Sequence, residues 1–145
     1  CVALLVDEGS NAKNVAAMRK AIEAAKATVK IIAPKVGGVT LSDGTHLPAD
    51  AQLAGAPSAQ FDAVASSIPM AAGERLSKDS AAQDWFRDAF GHLKAIAACK
   101  ATHLVLESAG VKPDAGVFDP SDTGSFIEAA QTRQWERERS LRALA

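Results

Sequence analysis

The chain has 145 residues, 48% of them hydrophobic and 23% charged, and 16 Lys+Arg against 17 Asp+Glu leave a formal charge of -1. Such a composition excludes wholesale disorder and collagen-like repeats, and the length suits one domain burying roughly 70% of its unfolded surface. A near-neutral balance gives no footprint for nucleic acid or an anionic membrane, and the apolar run Val2 to Val6 is far short of the ~20 residues that span a bilayer.

That run, closed by Asp7-Glu8-Gly9-Ser10, reads as a strand covered on both faces, the kind found in parallel sheets. From Asn11 to Ala27 the apolar residues Val15, Met18, Ile22 and Ala25 recur three and four apart, which predicts an amphipathic helix capped by Ser10 or Asn11. Val29 to Ala33 follows as a second strand stopped by Pro34, completing a right-handed βαβ unit. Val39-Thr40-Leu41 and His46-Leu47 flank Ser42-Asp43-Gly44-Thr45, the signature of a hairpin projecting from the sheet. Pro48 to Ser58 reads as a linker, and Phe61 to Ala65 as a third, weaker core strand.

Further on, Ser80 with Gln83 forms a capping-box pattern, and Trp85, Phe86, Ala89, Phe90 and Leu93 lie on one helical stripe that Gly91-His92 ends. Ala95 to Cys99 is a fourth strand, Thr102 to Ala109 a helix with Gly110 just past its end, and Gly116 to Phe118 a last short strand. A final helix starts near Asp122 to Ser125 and carries Phe126, Ile127, Ala130 and Trp135 inward; Glu136-Arg137-Glu138-Arg139 beyond it reads as a solvated, frayed end. Alternating strands and helices make the class α/β: an open doubly wound, mainly parallel sheet of flavodoxin type, with helices on both faces.

Ligands of such sheets sit beyond the carboxyl ends of the strands, which directs attention to Asp7 to Asn11, Ser66 to Gly73 and Cys99 to His103. Gly9 alone cannot supply a dinucleotide fingerprint or a phosphate-binding loop. Asp7 and Glu8 have the chemistry to ligate a divalent cation or accept a phosphoryl group, against the plainer expectation of a solvated strand end beside a helix dipole. Cys99 is the weak catalytic candidate, because a cysteine at a strand-to-helix turn lies near a helix N-terminus, with His103 one turn further on as a partner. A small buried residue at a strand end is the favoured alternative for Cys99. Cys1 begins one parallel strand and Cys99 ends another, so the two should not form a disulfide. Two cysteines also make neither a disulfide framework nor a four-ligand zinc site, which sets a reducing, cytoplasmic compartment as the expectation. His46 and His92 have no ligand-type neighbours in sequence and read as surface residues.

The stretch Gly38-Val39-Thr40-Leu41-Ser42-Asp43-Gly44-Thr45-His46-Leu47-Pro48, followed by Ala54-Gly55-Ala56-Pro57-Ser58 and Phe61-Asp62-Ala63-Val64, resembles the C-terminal domain of large-subunit catalases. So do Phe90-Gly91-His92-Leu93-Lys94-Ala95-Ile96 and Gly124-Ser125-Phe126. The resemblance implies a flavodoxin-like module related to DJ-1, PfpI-type proteases and class I glutamine amidotransferases, following a haem-containing barrel. It implies a non-catalytic accessory domain of a hydrogen peroxide dismutase, occupying residues 1–145 and excised from a longer chain. Haem then belongs to the parent barrel, and this domain carries no cofactor or metal of its own. The implied partners are the barrel, neighbouring catalase subunits and, through chaperone-like behaviour in the family, unfolded client proteins. The DJ-1-like nucleophile position falls on Lys100, with Cys99 one residue before it; the acidic partner falls near Asn14, and the Pro-Gly-Gly turn on Ser67 to Ala72. A DJ-1-like thiol hydrolase, deglycase or peroxide sensor acting through Cys99 is the alternative.

Overall fold

A computed structural model describes residues 1–35, 37–131, 134 and 137. Six parallel strands form the sheet: β1 (Val2–Val6), β2 (Val29–Ala33), β5 (Ala51–Gln52), β6 (Ala63–Ser67), β7 (Ala95–Ala97) and β8 (Val117–Phe118). Their order is β5-β2-β1-β6-β7-β8. Apart from the short edge strand β5, this is the doubly wound order of flavodoxin-like folds, with its switch point between β1 and β6. The strands β3 (Val39–Thr40) and β4 (His46–Leu47) pair separately as an antiparallel ribbon, with Thr40 opposite His46. Its base is fastened to the first βα turn, where Gly9 N–H donates to the Thr40 carbonyl and Ser42 N–H to that of Ser10.

Side-chain alternation along the strands divides the interior into two layers. Ala3, Leu5, Ile32, Val64 and Ile96 face α2 (Met70–Leu76), α3 (Ser80–Gly91) and α4 (Lys100–Ser108), meeting Leu76, Trp85, Phe86, Val105 and Leu106. Val2, Leu4, Val6, Ala63, Ala65 and Ala97 face α1 (Ala12–Ala24) and α5 (Thr123–Ala130), meeting Val15, Met18, Ile22 and Phe126. The expected first strand and second strand have the observed bounds, and Asn11 is the cap of α1, its side chain accepting from Asn14 N–H.

Other expectations are corrected. The third strand begins at Ala63, because Phe61 closes a 3-10 turn, Ser58–Gln60, that Ser58 fixes by donating to the Trp85 carbonyl. Part of the expected linker forms β5, and the unforeseen helix α2 follows β6. Asp79, not Ser80, caps α3, while the Gln83 amide donates to the Ser77 carbonyl instead of closing a capping box. Leu93 is buried but lies beyond that helix, in the left-handed region at φ 63°. The fourth strand stops at Ala97, because Cys99 is already the cap of α4. Gly110 ends α4 at φ 75°: its N–H reaches the Glu107 carbonyl and Val111 N–H reaches that of Leu106.

Arg137 is not solvated. It is buried, pairs through Nε and Nη2 with the two Asp114 carboxylate oxygens, donates from Nη1 to the Phe90 and Lys94 carbonyls, and stacks 4.0 Å above the Phe90 ring. Trp135, Glu136, Glu138 and Arg139 lie outside the described residues.

Candidate functional site

A cleft of about 490 Å³ opens where β6, β7 and β8 end, walled by α1 and by the turn that leads into α5. Asn14 and Met18 enter it from α1, Ser67 from the end of β6, Cys99 and Lys100 from the start of α4, and Asp119 from the turn after β8. The strand order puts it beside the switch point, where the connections from β1 and β6 leave toward opposite faces.

Cys99 is half-buried, and its sulfur lies 3.1 Å from Thr102 Oγ1 and 3.6 Å from the Ile68 carbonyl oxygen. Thr102 Oγ1 is in turn 2.6 Å from Ser66 Oγ, which donates to the Ala97 carbonyl. The Ala97 and Ile68 carbonyls can only accept, so the Ser66 hydroxyl and the Cys99 S–H donate to them, which leaves the one Thr102 hydrogen to serve Ser66 Oγ or Cys99 Sγ. The His103 imidazole is exposed and forms no hydrogen bond with the sulfur; its backbone N–H donates to the Cys99 carbonyl as part of the helix start. The two residues that sequence joined as a thiol and its partner are therefore neighbours in the chain without being chemically coupled.

Asp119 is the carboxylate that sequence reasoning missed. Hydrogen bonds from the Ser121 side chain and backbone N–H hold its carboxyl below the ordinary value of 3.8, with a smaller contribution from the charge on His103. The available signal was Asp-Pro-Ser at 119–121, an Asx-type turn placed just after a strand.

The first βα turn is built differently from the expected solvated strand end. Asp7 is buried and forms an ion pair with Arg75 of α2, while its other oxygen accepts from Glu8 N–H at 2.8 Å. Ser10 links this turn to β6 by donating to the Ser67 carbonyl at 2.6 Å, and Glu8 accepts from Thr40 N–H at the ribbon. Asp7 thus fastens α2 to the sheet. Among the described residues no three His, Cys, Asp or Glu side chains are grouped to hold a metal ion. Cys1 and Cys99 are both free thiols, at opposite ends of the sheet. His46 and His92 are exposed. No described helix is long and apolar enough to cross a membrane.

Fold and cleft together define a flavodoxin-like α/β module, and solved proteins of the DJ-1/ThiJ/PfpI type share its fold. Drosophila melanogaster DJ-1beta matches with a TM-score of 0.70 at 18% identity, over 97% of this chain and 96% of that one. A ThiJ/PfpI domain protein from Brachyspira murdochii matches with a TM-score of 0.71 at 12% identity, over 89% and 92%. Within that architecture the chain belongs to the family described as the C-terminal domain found in long catalases, whose model matches residues 1–137. Catalase C of Rhizobium meliloti (strain 1021) is 35% identical over 96% of this chain and 21% of its own length. Catalase HPII of Pseudomonas putida is 31% identical over 99% and 20%. The chain thus spans about a fifth of the length of the curated relatives it matches.

Proposed function

We propose that this chain is a single accessory domain, residues 1–145, of a long haem catalase, and that it supports the parent enzyme without chemistry of its own. Haem and peroxide dismutation belong to the remainder of such a polypeptide, and the partners of this module are the catalase barrel and neighbouring subunits. The observation that carries the proposal is the bonding of Cys99. Its sulfur is bonded to the Thr102 hydroxyl and the Ile68 carbonyl and, among the described residues, to no imidazole or carboxylate, so no base in contact with it is placed to take its proton. The residues at the corresponding DJ-1-like positions, Lys100 and Asn14, do not supply one either, since an ammonium has no lone pair and an amide is too weakly basic to take a proton at neutral pH. A reducing, cytoplasmic setting suits the two free thiols.

Chaperone-like client binding receives less support from the surface, because Met70 is the one large apolar side chain exposed among the described residues. The second reading, a thiol peroxide sensor at Cys99, is favoured only by the sulfur's place at the rim of the cleft.

Deleting these residues from the intact gene product tests the proposal. Peroxide turnover per haem is expected to stay within about twofold, because no transition-state contact is removed, while the thermal lifetime of the assembly falls. Loss of turnover in a correctly assembled, haem-loaded enzyme would overturn it.

A further inference from the structure

We infer that the cleft beyond β6, β7 and β8 binds a small α-amino acid, its carboxylate on Lys100 and its ammonium toward Asp119. Three observations lead there, the first being Ser67. This residue is only 7% exposed and lines the cleft, yet its hydroxyl makes no hydrogen bond to any described residue. The other buried serines are all bonded: Ser10 to the Ser67 carbonyl, Ser58 to that of Trp85, and Ser66 to that of Ala97. The Ser67 hydroxyl is therefore reached through the cleft alone, where a polar ligand group can take the place of water. Ser67 shares strand parity with Ala63 and Ala65, so its side chain points to the α1 face, where the cleft lies.

The second is Lys100, the first residue of the nine-residue helix α4. A cation there is opposed by the helix dipole, and Lys100 forms no ion pair with a described residue. Cys99 supplies no side-chain cap, which leaves first-turn N–H groups available beside that ammonium. An anion seated there would satisfy both, turning a local misfit into a binding element.

The third is Asp119, whose Oδ1 holds the Ser121 hydroxyl and N–H and whose Oδ2 accepts from no described residue. Those same bonds keep the carboxylate ionised, so a doubly charged anion such as phosphate is repelled. One positive and one negative wall group select a zwitterion. The remaining surface, from Ala17, Met18 and Pro120, suits a short aliphatic side chain.

Titrating the isotope-labelled chain with L-alanine, propionate and inorganic phosphate, followed by amide NMR shifts, tests this. Millimolar L-alanine should shift the amides of Ser67, Lys100, Ala101 and Ser121, with propionate weaker and phosphate weaker still. Lys100→Gln should weaken both alanine and propionate by about tenfold, whereas Asp119→Asn should weaken alanine alone. Ser67→Ala should weaken alanine a few-fold while leaving thermal stability unchanged or raised, because it removes a hydroxyl without an internal partner. A serine of purely structural use would instead lower stability. Absence of localised shifts with alanine, equal or tighter binding of phosphate, or indifference to Lys100→Gln would each overturn the assignment.

Discussion

At Cys99 the sulfur is held by its neighbours: Thr102 Oγ1 lies between it and Ser66 Oγ, and the Ile68 carbonyl accepts its hydrogen. A half-buried sulfur in that setting gives a reagent a restricted approach. Alkylation by iodoacetamide at neutral pH is therefore expected to proceed roughly an order of magnitude more slowly at Cys99 than at Cys1. Mass spectrometry of partially modified 145-residue chain checks it, and preferential modification or sulfenylation of Cys99 would return the thiol-sensor reading to first place. Asp119 carries a pH dependence of definite sign. Its carboxyl is held below 3.8 by Ser121, so the folded state binds this proton less readily than the unfolded state. The resulting stabilisation is present above the ordinary carboxylate range and is lost as pH falls through the lowered folded value. Ser121→Ala should move the Asp119 titration back toward 3.8, as read from its side-chain carboxyl 13C shift. The hydroxyl chain was not legible in sequence, because it joins residues far apart in the chain, such as Ser66 and Thr102, whereas the Asp119 turn had a local signal in Asp-Pro-Ser.

Among the elements, legibility followed the strength of the local pattern. β1 and β2 are continuous apolar runs with clear stops, and they came out with their observed bounds. The helix α2 gave little signal: it has seven residues, no side-chain cap and a glycine in the middle. That glycine has a tertiary reason. A Cβ at Gly73 would collide with the Ala101 carbonyl, so α2 and α4 pack backbone against backbone. The carboxyl half of β6 was hidden by Ser66 and Ser67, polar residues that burial makes acceptable through hydroxyl bonds in one case and a cleft in the other. Among the described residues, helix ends depart from the usual glycine at Lys26 and Leu93, both left-handed at φ 63°. After α1 the Ala27 N–H reaches the Ile22 carbonyl and Lys26 N–H that of Glu23, a closing motif in which glycine carries no steric cost. Lys26 is exposed, so Lys26→Gly is expected to stabilise the chain by about 0.5–1 kcal/mol, read as a rise in the denaturation midpoint at constant m-value. The same change at Leu93 would forfeit a buried side chain and should not stabilise.

For the whole molecule, the strand order and the two apolar layers were implicit in the alternation of βα units, since parallel strands buried on both faces require helices on each. The cleft followed from that topology, although its Asp119 wall did not. Both layers share the same strands: Leu4 and Leu5 are adjacent residues of β1 that point to opposite sides and are both fully buried. Removing either helical layer would expose one face of every central strand to water, so neither layer is expected to survive without the other. Phe86 in one layer and Phe126 in the other, each with 0% exposure, probe this coupling. Phe86→Ala and Phe126→Ala should each cost about 3–5 kcal/mol through lost burial and cavity formation. Each should also move one common transition rather than split it. Far-UV and near-UV circular dichroism, recorded through the same urea titration, should give coincident midpoints for the parent chain and both variants. A Phe126→Ala chain that loses near-UV signal well before its secondary structure would show that the layers unfold separately and would break the single-domain assignment.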